Sequence, residues 1–257
     1  MKIISTLVFL FLFTISTNAQ EPSSLTEVWK PEVRVVDPGL LNTSPPSDAI
    51  VLFDGKNTSA WLAQNNNPVK SGDGSVEWGK GPIKWKVEDG VMTIVGGSGY
   101  IITKQSFGDC QIHIEWRTPD EVKGNGQGRG NSGIFFMGKY ELQVLDSYNN
   151  PTYSNGQAGS IYKQLIPLVN SSRKPGQWQT YDVVFMAPIF NKDGNVKHPA
   201  TVTVFQNGVL VQNHATIFGS TEYIGIGSYH QHEEKLPLLI QDHGNPVSYR
   251  NIWIREL

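Results

Sequence analysis

The sequence has one cysteine, Cys110, so no intrachain disulfide can form and the fold must hold by packing. No stretch repeats apolar residues at the 3.6-residue helical period, which excludes a helical bundle. With no helices between its strands, a parallel α/β sheet is excluded too. Basic residues are not in excess: 21 Lys and Arg stand against 23 Asp and Glu, and nothing marks a nucleic-acid partner. Nucleophile elbow and metalloprotease helix are both missing. The run "GNGQGRGNSG" is rich in glycine but sits between strands, so it is not a dinucleotide loop. Beyond the N-terminus no apolar run is long enough for an integral membrane span.

What is present is a β chain with a leader. Lys2 precedes an apolar run from Ile3 through Ile15, and the small Ala19 stands before Gln20, the pattern of a signal peptide over residues 1–19. An uncleaved anchor is the alternative. Residues 20–48 ("EPSS", "KPEV", "DPGLLNTSPPSD") read as an extended arm. Residues 49–257 are expected to form one domain, placed in the periplasm or outside the cell.

In that domain, strands follow one another across short turns. "IKWKVEDGVMTIVG" is a hairpin turning at Glu88-Asp89-Gly90, and "TVTVFQNGVLVQN" one turning at Asn207-Gly208. "GIFFMGKYELQVLD" is expected to turn at Gly138-Lys139. "TYDVVFMA" and "SYRNIWIREL" complete an all-β pattern, that of a sandwich of two antiparallel sheets.

Two strands carry polar residues where one face should be apolar. In "QIHIEWR", Ile112, Ile114 and Trp116 alternate with His113, Glu115 and Arg117. In "YELQV", Tyr140, Leu142 and Val144 alternate with Glu141 and Gln143. If these strands pair, Glu115 and Glu141 meet in one cleft, with Arg117, Asn131 and Gln143 to bind hydroxyls. That is the equipment for acid–base work on a sugar. A surface ion pair of Glu115 with Arg117 would leave the same pattern. Asp146 has the opposite parity and reads as a turn residue, and Cys110 reads as facing the core.

"GSYHQHEEKLPLLIQDHGNP" gathers His230, His232, Asp242 and His243. On a strand, His230 and His232 would share a face and offer a metal pair. "QDHGNP" reads first as a turn, with His243 available as a proton carrier. A divalent cation could serve as cofactor, with His232, Asp242 and His243 as its first ligands.

The motifs "LFDGKNTSAW", "WKVEDGVMTIVGGSGYIITKQSFGDCQIHIEWR", "NSGIFFMGKYELQVLDSY", "GSIYKQLIPLVN", "GQWQTYDVVF", "TVFQNGVLVQN" and "LPLLIQDHGNPVSYRNIWI", from about Ile50 to Leu257, resemble the 3-keto-disaccharide hydrolase domain family. The resemblance implies a concanavalin A-like jelly-roll and cleavage of glycosides already oxidised to a ketone at carbon 3. Carried over by position, it puts cleft residues at Glu115, Arg117, Asn131, Glu141 and Gln143, and "QDHG" adds Gln241, Asp242 and His243. Many relatives read Arg-Gly-Arg where this chain has Met137-Gly138-Lys139; if the first of those arginines binds substrate, Met137 in its place implies a changed sugar preference, and Lys139 is a further substrate-binding candidate. The resemblance suggests base-initiated elimination at carbon 2 followed by hydration. Glu141 would be the base and Glu115 or His243 the acid, with a glycoside or oligosaccharide as partner. A conventional glycoside hydrolase and a sugar-binding module without chemistry are the alternatives.

Overall fold

The computed structural model describes residues 23–64 and 81–257, so the leader expected over residues 1–19 lies outside the described residues. Two units are distinguished, one ending at Val35 and one spanning Val36–Leu257. Residues 23–35 contain a single 3-10 turn, Ser23–Thr26, and no strand.

The second unit begins with β1 (Ile50–Phe53), β2 (Trp61–Gln64), β3 (Lys86–Glu88), β4 (Val91–Thr93) and β5 (Tyr100–Phe107). Then come β6 (Cys110–Arg117), β7 (Ser132–Phe136), β8 (Tyr140–Val144), β9 (Gln179–Met186) and β10 (Ile189–Phe190). The chain closes with β11 (Val196–His198), β12 (Thr201–Gln206), β13 (Val209–Thr216), β14 (Leu236–Ile240) and β15 (Ser248–Glu256). A large sheet runs β13-β12-β9-β6-β15-β4-β3, with β1 also on β15. A small sheet runs β2-β5-β14-β7-β8, and β10 and β11 pair separately. The pairings are antiparallel, so the chain is the all-β sandwich of two antiparallel sheets expected from its pattern, of the jelly-roll class implied by the resemblance.

Alternation explains how the sheets close on each other. Ile112, Ile114 and Trp116 of β6 and Tyr181, Val183 and Phe185 of β9 share one core with Ile134, Phe136, Tyr140, Leu142 and Val144 of β7 and β8. Phe136 stacks on Phe185 at 4.8 Å between centroids. Each such side chain taken from water contributes about 1.5–3 kcal/mol, enough to join the sheets without a disulfide. Cys110 faces this core, and burial first, then Asp109 and Glu256, pushes its thiol up to about 12.

The expected hairpin at Asn207-Gly208 is present, with φ of 55° and 79°. The β7–β8 turn comes one residue earlier than expected. Met137 and Gly138 take φ of 55° and 63°, and Lys139 N–H donates to the Phe136 carbonyl at 3.0 Å. Three residues, Met137 to Lys139, thus connect the strands, and the positive φ at Met137 and Gly138 reverses the chain so that Phe136 pairs with Tyr140 on the core face.

Residues 36–48 pack against β15. The Thr43 carbonyl accepts hydrogen bonds from Asn251 Nδ2 at 2.9 Å and Trp253 Nε1 at 3.1 Å, and Arg255 meets Asp48 at 2.7 Å. Among the described residues no helix is long and apolar enough to cross a membrane.

Candidate active site on the outer face of the small sheet

Because Tyr140, Leu142 and Val144 turn into the core, Glu141 and Gln143 turn outward. Cross-strand register then arranges that outer face in two rows. One is largely apolar, with Leu62, Ile102, Leu239 and Phe135 leading to Glu141. The other is mainly polar. Gln64 pairs with Tyr100, Tyr100 lies opposite Gln241, Gln241 N–H donates to the Gly133 carbonyl at 2.9 Å, and Gly133 pairs with Gln143.

Both rows extend one segment further. Ile161 bridges Leu142, while Tyr162 N–H donates to the Glu141 carbonyl at 3.1 Å and Gln143 N–H to the Ser160 carbonyl at 3.0 Å. Tyr162 is thereby the lateral neighbour of Glu141. Its hydroxyl meets that of Tyr153 at 2.6 Å, and the Lys163 ammonium lies 4.3 Å from the Tyr223 ring.

Glu141 is only 4% exposed, and its carboxylate has no hydrogen bond or ion pair among the described residues. Burial alone raises it to about 8. Gln143 is 1% exposed. Its Nε2 donates to Asn131 Oδ1 at 3.1 Å and Gln127 Oε1 at 3.4 Å, while Asn131 Nδ2 donates to the Gln127 carbonyl at 2.8 Å. The Gln143 and Gln241 side-chain oxygens are buried with no donor. Tyr162 is held protonated by burial first, then by Tyr153 and the neighbouring Glu141.

Glu115 and Arg117 are elsewhere, which corrects the expected cleft. β6 pairs with β9 and β15, not with β8, so the whole core separates Glu115 from Glu141. Each carboxylate points outward from its own sheet. Arg250 Nε and Asn251 Nδ2 donate to Glu115 at 2.7 and 2.9 Å, and His113 Nε2 lies 3.6 Å away. Burial disfavours the Glu115 charge, but the His113 imidazole at 3.6 Å and the hydrogen bonds from Asn251 and Arg250 outweigh it and hold the group at about 2. The Arg117 and Arg250 guanidinium groups lie 4.7 and 4.1 Å from the Trp178 ring centroid.

Among the other expected residues, Asp242 is committed to its loop. Its carboxylate accepts Gly244 N–H at 2.8 Å and Gly99 N–H at 3.1 Å. His243 is exposed in the same loop. Lys139 sits in the β7–β8 turn, with its carbonyl accepting Thr221 N–H at 2.8 Å. Asp146 is the turn residue expected of it, bonded to Arg129 Nε at 2.6 Å and Tyr148 N–H at 3.2 Å. A hollow of about 430 Å³ lined by Asp109, Phe190, His232, Lys235 and Glu256 contains none of the small-sheet residues. Its Lys235 and Glu256 are already paired. Proton transfer needs a group free to titrate, so the face carrying Glu141 is a stronger candidate site than this volume.

A family model described as the 3-keto-alpha-glucoside-1,2-lyase-like domain matches residues 48–255. The chain belongs to this family. It is similar to a provisional glycosyl hydrolase of Parabacteroides distasonis ATCC 8503, at 50% identity, over 92% of this chain and 97% of that one, with a TM-score of 0.81. A second provisional glycosyl hydrolase of the same organism is 22% identical over 82% of this chain and 94% of that one, at a TM-score of 0.55, and shares the fold. No curated protein matches the chain.

In this lyase-like domain the expected cation ligands do not fit a metal. Both ring nitrogens of His232 are engaged, with Tyr140 Oη and the Glu233 carbonyl, each at 2.7 Å. Asp242 has given both oxygens to backbone N–H groups, and among the described residues no three His, Cys, Asp or Glu cluster as ligands. His230 is in irregular chain rather than on a strand, so it shares no strand face with His232. What the sequence reading missed are Tyr162 and Gly133. "GSIYKQL" carried the first without a strand-like alternation to orient it, and the second matters through a side chain that is missing.

Proposed function

We propose that the chain is an exported carbohydrate-active enzyme that cleaves 3-keto-glycosides, first by elimination and then by hydration. The family and the 50% identical relative support a carbohydrate-active, hydrolase-like protein. The observation that carries the finer reading is the Glu141 carboxylate, buried, unpaired and raised to about 8 on an outward sheet face.

A ketone at carbon 3 acidifies the proton on carbon 2. The Glu141 carboxylate takes that proton, the electron pair forms the carbon 1–carbon 2 double bond, and the bond from carbon 1 to the aglycone oxygen breaks. The departing oxygen takes a proton from the Tyr162 hydroxyl. Water then adds across the double bond: its hydroxyl goes to carbon 1, its proton returns to the Tyr162 oxygen, and Glu141 gives its proton to carbon 2, leaving a free 3-keto sugar. A carboxylate raised to about 8 is a stronger base than an ordinary one, because ionisation costs more where nothing solvates the charge. Tyr162 is the better donor than His243, because it lies beside Glu141 while His243 is exposed. Lys139, Asn131, Gln143 and Gln241 are assigned to substrate binding.

The structure weakens the case for a conventional retaining hydrolase. That mechanism needs two carboxyl groups about 5 Å apart, whereas Glu115 belongs to the other sheet. The test is release of reducing sugar from a plain disaccharide and from its 3-keto derivative, with and without chelator. Cleavage of the oxidised compound alone is expected, and cleavage of the plain one would overturn the proposal. In the same assay Tyr162→Phe should lower kcat by about 10²-fold with KM little changed, the size expected of one proton donor. Full kcat in that variant would remove Tyr162 from the reaction.

A further inference from the structure

We propose that Gly133 is a positioning and specificity residue. Its missing side chain gives the Glu141 carboxylate a slot to lean into, and above that slot one pyranose ring is held, its hydroxyls accepted by Gln143 and Gln241. This rests on the small-sheet site proposed above and adds how the ring is held.

Gly133 occupies the middle of the polar row, between Gln241 on β14 and Gln143 on β8. Each of the other pairing positions in that row, Gln64, Tyr100, Gln241, Gln143 and Ser160, carries a side chain. A Cβ at Gly133 would run into Glu141 Oε1 and come within 3.0 Å of Glu141 Cδ and 2.9 Å of a Phe135 ring carbon. The carboxylate therefore leans across β7 over the glycine instead of standing straight out from β8. Gly133 has no positive φ, so the strand does not require glycine for backbone reasons. What requires it is the space.

The flanking amides supply the second observation. The Gln143 and Gln241 side-chain oxygens are buried without a donor, and an unmet buried acceptor costs about 1–3 kcal/mol. Both Nε2 groups already donate, that of Gln143 to Asn131 and Gln127 and that of Gln241 to Tyr100 at 3.4 Å. The oxygens thus call for a ligand with hydroxyl donors at two separated points. β8 and β14 flank β7, so the two amides spring from strands about 10 Å apart, a span a hexose with outward hydroxyls can bridge. Leu239 and Phe135 in the next row offer an apolar surface to a ring face.

Gly133→Ala tests this with two readouts that do not depend on turnover. In protein with ¹³C-labelled Glu side chains, the Glu141 titration should move down toward the ordinary carboxylate range, because the new methyl pushes the carboxylate toward water. Affinity for a non-oxidised glucoside, measured by calorimetry, should fall at least tenfold while the melting temperature stays within a few degrees. Gln241→Leu is the second variant: it should weaken glucoside binding without moving the Glu141 titration. An unmoved titration in Gly133→Ala, or equal glucoside affinity in the wild type and both variants, overturns the slot. If both readouts shift as expected but the wild type leaves 3-keto-disaccharides intact, the slot stands and the proposed reaction falls.

Discussion

Replacing Glu141 by glutamine should lower kcat on a 3-keto-disaccharide by about 10³-fold, within the range of a general base, and stabilise the folded protein above neutral pH. Folded Glu141 keeps its proton up to about pH 8, whereas in the unfolded chain it is released near 4.5. Between those values the folded state binds more protons, so wild-type stability falls as pH rises through the window. Glutamine has no proton to lose. Its advantage grows from pH 4.5 and is complete above about 8, on the order of a few kcal/mol. Urea melts of both proteins at pH 5, 7 and 9 measure this. Equal stability at pH 9 would mean that Glu141 is solvated or paired.

The pH dependence of turnover follows from the same group. At pH 7 a carboxyl that ionises at about 8 is roughly one-tenth charged, so a base role makes kcat/KM climb about tenfold per pH unit below 8 and level off above it. A proton-donor role for Glu141 would give the reverse slope. The profile therefore tests the direction of proton transfer as well as the residue.

Strand parity was legible from the sequence wherever one face is apolar and the other polar. It oriented Glu141 and Gln143 correctly because Tyr140, Leu142 and Val144 alternate with them toward the core. It could not read β14, where Pro237 interrupts the run and Leu238, Leu239 and Ile240 are all buried, leaving no alternation. Which strands lie side by side was also hidden. The neighbours of β6 are β9, some 70 residues on, and β15 at the end of the chain, and no local pattern encodes such pairing. Hence Glu115 was oriented correctly within its own strand and assigned to the wrong cleft. Gly133 left no signal beyond a glycine in a strand, since its effect depends on which side chain leans over it.

Glu115→Ala should separate the two faces of the molecule, lowering stability by about 3 kcal/mol while leaving kcat/KM on the 3-keto substrate within about threefold. The carboxylate is where Arg250 Nε, Asn251 Nδ2 and, at 3.6 Å, His113 Nε2 converge. Arg250 is partly open to water and can re-solvate, so its share of the loss is small. His113 cannot, being buried and stacked on Trp253 at 5.4 Å. Burial alone would lower His113, but its hydrogen bond to Asp182 and the nearby Glu115 carboxylate win and raise it to about 9. Its stabilising effect is therefore complete below 6.5 and lost as pH rises through 9, while that of Glu115, held at about 2, is present above 4.5 and lost as pH falls toward 2. Removing Glu115 should shrink the acid limb and reduce the His113 part of the alkaline limb to the Asp182 contribution, leaving the Glu141 part unchanged. It also frees Asn251, whose Nδ2 is shared between Glu115 and the Thr43 carbonyl, so the docking of residues 36–48 on β15 should loosen and their amides exchange faster. A variant that keeps wild-type stability but loses turnover would put Glu115 in the chemistry despite the core between it and Glu141.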